Sequence, residues 1–506
     1  MAIINENTVM KFYLEQLSED KISFLKGKTY FKNLIQEDIE NLLKEESMHD
    51  KINIAKSLWK NLFTASMSYI DNDRRGYDKL FDYFDKYVDF EELIFASDSF
   101  YRDHTLHSLW VYFLGEYLYR KDEYSGLFKD KDKYLKSFLK VKEDIDKLPN
   151  KEIFEDIMES YEDIYDFIEK EESSRCVAAL CHDLGYPLRK INQINTSIKS
   201  ILPYFYIRDV NEFNVTYTEL EHIYIQSFIE FMSLSIGFRR KEEDINYAGL
   251  ININCHNIDK CGLNLKLINN FSYEQLLNLK EYLALEINIR KKLNRYLSYA
   301  RNFEEYNHGI LSAFLLTKNI KAFENLKFSL GERTSYFDSI NYSDVVSKQE
   351  ILRAMTEHTN DSFKIKEISS NVQFLSLIDE LEEFSRISRA NKNREYVNQY
   401  CKTDLNYEEG WFNVNLIFDN IDIGEFNPET SFKWRCKRFL DLFDVPNLSK
   451  NLKLRIKFIV DIDEKHEYVL EIANKYANIF IDGIEVIIPD YLDSYQYCTN
   501  KQYLNE

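Results

Sequence analysis

Helix breakers are scarce in this chain, with thirteen glycines and six prolines among 506 residues. That scarcity excludes collagen-like and low-complexity architectures, and the plentiful Leu, Lys and Glu favour helix. Cysteine offers no scaffold either. The seven cysteines, Cys176, Cys181, Cys255, Cys261, Cys401, Cys436 and Cys498, are odd in number and contain no CxxC pair. A disulfide framework and a zinc ribbon are thereby excluded, and a reducing compartment is expected. No uninterrupted apolar run of about 18 residues occurs, and the opening Met-Ala-Ile-Ile-Asn-Glu-Asn has no basic stretch followed by an apolar core. The expectation is a soluble, cytoplasmic protein with no membrane partner. Positive charge is also in deficit: 65 Lys and Arg against 85 Asp and Glu leave a net charge of −20. Such a field repels long nucleic acid, so none is expected as a partner. A small anionic phosphate substrate remains allowed, because a bound metal with a few Arg or Lys reverses the sign locally.

What is present is a globular balance, 44% hydrophobic and 30% charged residues, in a chain too long for one ordinary core. Up to about residue 405 the apolar residues recur at helical spacing. Ile54, Ala55, Leu58, Trp59, Leu62 and Phe63 are an example, and residues 1–95 read as a helical cap. Residues 120–173 are strongly charged, with apolar positions at helical spacing in between, and read as an inserted helical hairpin. Further helices are expected over residues 190–300. Beyond residue 405 the pattern changes to alternation. Trp411 to Phe418 and Leu452 to Val460 read as strands around a helix from Phe432 to Phe443, followed by a helix from Tyr468 to Ala477 and a strand from Ala477 to Ile488. The fold class is therefore mainly α with a small C-terminal α+β domain at 405–490, whose plainest role is homo-oligomer formation or docking of a protein partner.

One stretch stands out. Val177-Ala178-Ala179-Leu180-Cys181 leads without a breaker into His182-Asp183, and Gly185 and Pro187 then stop the helix. A carboxylate buried beside an imidazole is costly unless it is paired, hydrogen-bonded or bound to a cation. A hydrogen-bonded His-Asp pair and a metal site both meet that need. Nitrogen and oxygen donors together suit Mn, Fe, Co, Ni or Zn better than Ca or Mg.

Other polar residues interrupt apolar helices in the same way. His104 and His107 lie three apart at the mouth of an apolar helix and share a face. Either one can be a ligand while the other orients it. His308 begins the apolar run Ile310 to Leu316, His358 ends the helix Ile351 to Glu357, and Asp379 follows the apolar turn Phe374 to Ile378. His222 reads as a core histidine or a further site member. His49 and His466 lie in polar surroundings and read as exposed, and His256 lies in a loop between Cys255 and Cys261 whose spacing matches no zinc pattern.

Taken in order, His107-Ser108-Leu109 with Val111, then Ala178 to Gly185 around His182-Asp183, then Asp379, the chain resembles the HD superfamily of metal-dependent phosphohydrolases. The resemblance covers roughly residues 95–390. It implies an HD-type helical domain over 96–395 with an insertion near 120–173. His107, His182, Asp183 and Asp379 are then ligands of a first divalent metal, and Asp183 bridges to a second held by His308 and His358. The implied activity is hydrolysis of a phosphate ester, of a nucleotide or other small phosphorylated molecule, by a metal-activated water at His182 and Asp183. Arg102, His104, Arg189 and Lys190 are candidates to meet the substrate phosphate. The alternative is an HD-fold nucleotide sensor that signals through the C-terminal domain. Deoxynucleotide triphosphohydrolases of this family carry a further histidine shortly after the pair, where this chain has Tyr186.

Overall fold

The structure is a computed structural model. It describes residues 3–486 apart from 72, 96–99, 129–138, 149, 208–210, 214, 241–270, 284, 325–341, 385, 389–400, 420–427 and 462–463. The N-terminal and central region is predominantly helical and is followed by a β-rich C-terminal sheet. Among the described residues, no helix is long and apolar enough to cross a membrane.

The centre of the helical region is the His104–Arg120 helix, in which every residue from His104 to Leu118 is buried. A helix that is apolar on all sides must be surrounded, and this one is packed by the helices Glu6–Ser18, Met48–Met67, Glu155–Cys181 and Asn371–Leu381. The first of these carries Tyr13, whose hydroxyl lies 3.0 Å from that of Tyr112. Trp59 stacks on Phe63 and Phe84 and donates its indole N–H to the Leu180 carbonyl at 2.8 Å. The last turn before His182 is thus fixed by packing and by a hydrogen bond. Residues 155–181 form one unbroken helix, whose first half packs in a satellite core of Val141, Ile145, Phe154, Tyr161, Leu279 and neighbours.

Among the described residues the C-terminal sheet has seven strands in the order β1-β6-β7-β8-β9-β10-β11. They are Ile3–Ile4, Lys402–Glu408, Trp411–Phe418, Leu454–Asp461, Lys465–Ala473, Tyr476–Ile481 and Ile484–Val486. Among its described strands only β7 and β8 run parallel, and the Pro428–Leu442 helix lies in the crossover that a parallel pair requires. The helix expected from Tyr468 to Ala477 is instead a hairpin. Lys475 adopts φ 71° in the tight turn, which pairs Ala473 with Tyr476. Tyr, Val and Ile favour strand there once a pairing partner exists, and local periodicity could not supply that partner. Residues 234–240 and 285–291, within a stretch expected to be helical, form the antiparallel pair β3 and β4.

Two pairings join distant parts of the chain. Ile3–Ile4 adds an edge strand to β6. Phe100–Arg102 (β2) pairs with Arg386–Ser388 (β5), which sets the start of the His104 helix beside the end of the helix carrying Asp379. The helical region and the sheet also share one continuous core. Arg435 reaches from the Pro428–Leu442 helix to Glu380 at 2.9 Å and to Glu383.

Candidate metal centre

Five helix ends deliver polar side chains to one point. Asp103 caps the His104–Arg120 helix, its Oδ1 accepting from the Leu106 N–H at 2.9 Å, so that His107 faces inward one turn later. Burial, reinforced by Glu91, pushes the Asp103 carboxyl up to about 6. His182 and Asp183 follow directly on the Glu155–Cys181 helix. His308 opens its helix behind an Asn307 cap, His358 follows the Tyr342–Glu357 helix, and Asp379 sits in the last turn of Asn371–Leu381. The turn after Asp183 is pressed against the His308 helix. A Cβ on Gly185 would lie 2.4 Å from the His308 carbonyl oxygen, so only glycine permits that approach.

The distances are short. His107 Nε2 lies 2.9 Å from Asp379 Oδ1 and 3.3 Å from His182 Nε2. His182 Nε2 lies 3.4 Å from Asp183 Oδ2, and His358 Nε2 lies 3.5 Å from Asp183 Oδ1. His107, His182 and Asp379 form one group able to hold a cation and His182, Asp183 and His358 a second, each with its donor atoms within 4.8 Å of one another.

The other ring nitrogen of each histidine fixes what faces the centre. His182 Nδ1 is 2.7 Å from the Ala179 carbonyl and His358 Nδ1 is 2.6 Å from that of Met355. His107 Nδ1 is 2.5 Å from Glu382 Oε2. Carbonyl and carboxylate oxygens only accept, so each Nδ1 carries a proton, and where the ring is neutral Nε2 turns a lone pair inward. His358 Nε2 is a buried nitrogen without a hydrogen-bond partner. Protonating the His182 ring is resisted, since burial holds it down at about 4. A cation between these lone pairs satisfies all of them, and carboxylate or carbonyl support behind each imidazole is the arrangement that metal ligands require. The residues present fit a divalent transition metal.

No family model, no curated protein and no solved structure matches this chain. The chemistry of the site has to speak for itself. His308 stands apart from its neighbours. Its Nδ1 lies 2.9 Å from Arg189 Nη1. Arginine only donates, so Nδ1 accepts, and the proton sits on Nε2, 3.1 Å from Asp183 Oδ1. In this arrangement His308 donates to Asp183 and offers no lone pair, and it belongs to neither group of three. Burial holds it at about 4 as well.

His104 is buried, with Nδ1 2.7 Å from Glu91 Oε2 and its ring 3.9 Å from that of Tyr186. Lys190 lies over the Tyr186 ring at 4.9 Å, so Arg189, Lys190 and Tyr186 gather on the His308 side of the centre. Arg102 is the last residue of β2, paired through its backbone with Arg386. His222 and His49 are exposed and outside the cluster, and His466 pairs with Asp482 at 2.9 Å. His256 lies outside the described residues. Glu382 was not singled out from the sequence. The only signal was its spacing of three from Asp379, and Glu380 and Glu383 beside it gave the stretch the look of a solvated face.

Proposed function

We propose that this chain is a metal-dependent phosphohydrolase of the HD type acting on a nucleotide or other small phosphorylated substrate. The observation that carries the reading is the convergence of three imidazole Nε2 atoms and two carboxylates into two adjoining groups able to hold a cation. His107, His182, Asp183 and Asp379 would hold one Mn, Fe, Co, Ni or Zn ion, and Asp183 would be shared with a second on the His358 side. Such ions supply Lewis acidity, bringing a water toward neutral pKa and stabilising charge on phosphoryl oxygens. The chain's own residues do the rest. Glu382 and the Ala179 and Met355 carbonyls fix the tautomers, and His308 orients Asp183. Arg189, with Lys190 beside it, places positive charge at the rim, where a phosphate would arrive.

A second reading is a nucleotide sensor that signals through the sheet. The ties from Arg435 and Arg438 to Glu380, next to Asp379, favour it.

The deciding experiment is elemental analysis of chain purified without chelator, beside His182→Ala and Asp379→Ala, followed by a screen for phosphate release from nucleotides and phosphate esters. About one or two transition metals per chain, lost in both variants with their helical circular dichroism intact, together with phosphate release, is the expected result. No metal after attempted reloading overturns the hydrolase and leaves the sensor. Metal and nucleotide binding without phosphate release leaves the sensor.

A further inference from the structure

The Ile191–Ile201 helix and the chain just after it turn large apolar side chains outward. Asn195, Ile198 and Ile201, spaced by three, share one face of that helix, and Ile198 and Ile201 are exposed on it. The last turn runs on into Leu202–Phe205. Tyr206 and Ile207 fold back there, their N–H groups donating to the Pro203 carbonyl at 3.1 Å and the Leu202 carbonyl at 3.2 Å. Tyr206 turns at φ 58°, a left-handed conformation that a residue with a side chain adopts at a cost. Phe213 is brought to the same face, since its N–H donates to Asn195 Oδ1 and its carbonyl accepts from Asn195 Nδ2, both at 3.0 Å. Tyr204, Phe205, Tyr206, Ile207 and Phe213 are all exposed, Tyr204 by 86% and Tyr206 by 96%. The fold itself gains almost nothing from them.

Area and charge say what covers this face. Its seven large apolar residues expose on the order of 1,000 Å², where the largest apolar patch of a monomer is about 300–600 Å² and a stable interface takes about 800 Å² from each partner. That is one protomer's share of a standard dimer. Lys199 and Glu212, the charged side chains described here, pair with each other, so the face is neutral within a chain of net charge −20. Two copies repel each other least where their facing surfaces are neutral. An anionic bilayer, by contrast, is held by a cluster of basic side chains, and Lys199 is spent on Glu212. Tyrosine and phenylalanine are the anchors that fill protein interfaces.

We propose that this face is the contact between two copies of the chain. They pack about a two-fold axis, each setting its Ile191–Ile201 helix and its Tyr204–Ile207 turn against those of the other. The contact lies on the helical region rather than on the C-terminal sheet. It adjoins the rim of the metal centre, because the helix begins one residue after Lys190, yet it stands or falls without the phosphohydrolase reading.

Sedimentation velocity on the full chain tests the contact, in wild type and in Tyr204→Ser/Phe205→Ser/Tyr206→Asn. These three side chains face solvent within one copy, so the variant should keep the wild-type circular dichroism and metal content. Wild type should sediment as a dimer at about 10 µM, and the variant should need at least about 100-fold more protein to dimerise. A wild type that stays monomeric at about 100 µM overturns the contact. So does a variant that dimerises as readily as wild type, which moves the interface elsewhere. Flotation with phosphatidylcholine vesicles, plain or with added phosphatidylserine, checks the other occupant. A wild-type chain that floats as a monomer while the variant stays behind makes the face a lipid anchor and overturns the dimer.

Discussion

Two clusters of buried polar groups occupy the same pair of helices, and they are balanced in opposite ways. At one end of the His104–Arg120 helix, Glu116 meets Arg175 at 3.0 Å and Arg120 at 2.7 Å, and Arg175 reaches Glu171 at 3.3 Å. Each carboxylate there has a guanidinium supplied by the chain. At the other end, the Nδ1 protons of His107 and His182 go to Glu382 and the Ala179 carbonyl, and their Nε2 atoms meet Asp379 and Asp183. The first cluster is complete as folded, and the second calls for a cation from outside. Burial makes both costly, and only the donor inventory separates a structural network from a site.

The comparison can be broken from either side. Arg175→Met should cost the most, about 3–5 kcal/mol in urea unfolding, because it removes the buried guanidinium between Glu116 and Glu171. Added Mn²⁺ should not rescue it. The wild-type chain stripped with chelator should gain about 3–4 kcal/mol when Mn²⁺ is restored to a hundred- to thousandfold above its dissociation constant. His358→Ala should gain less. Equal gains would show that the cation binds elsewhere.

Acid should separate the two clusters in the stripped chain. His182 and His308, at about 4 when folded against 6.5 when unfolded, take up more protons in the unfolded state. Stability therefore falls as pH drops from about 6.5 toward 4. Burial alone would raise Glu116, but Arg175 and Arg120 hold it below its ordinary 4.5. Its contribution is intact above that value and is lost only below it. The urea midpoint should thus already decline between pH 6.5 and 4.5, and a flat profile there would contradict neutral buried histidines.

Smaller effects sharpen the contrast. Glu382→Gln keeps an acceptor for His107 Nδ1 but removes the charge behind the ring, and should weaken metal binding about 10–100-fold without unfolding the chain. An unchanged dissociation constant would make Glu382 merely structural. Lys433→Ala removes a surface pair with Glu429 whose side chains are about half exposed. It should shift stability by no more than about 0.5 kcal/mol, showing that a similar distance outside the core counts for little.

The sequence by itself determined the helical texture up to about residue 405 and the turn to alternating strands beyond it, because burial on one face imposes a period that can be counted locally. It also marked His107, His182, Asp183, His308, His358 and Asp379 as polar groups at the ends of apolar helices. Tertiary structure alone decided which partner each one met. Asp379, Glu380, Glu382 and Glu383 are nearly equivalent as text, yet Glu382 turns to His107 while Glu380 and Glu383 turn to Arg435. Likewise, no local pattern announces that Ile3 pairs with Asp404, that Phe100 pairs with Ser388, or that Tyr468 to Ala473 runs as a strand. Period and polarity are properties of neighbours along the chain, whereas the carboxylate that meets His107 and the strand partners of Ile3 and Phe100 lie hundreds of positions away.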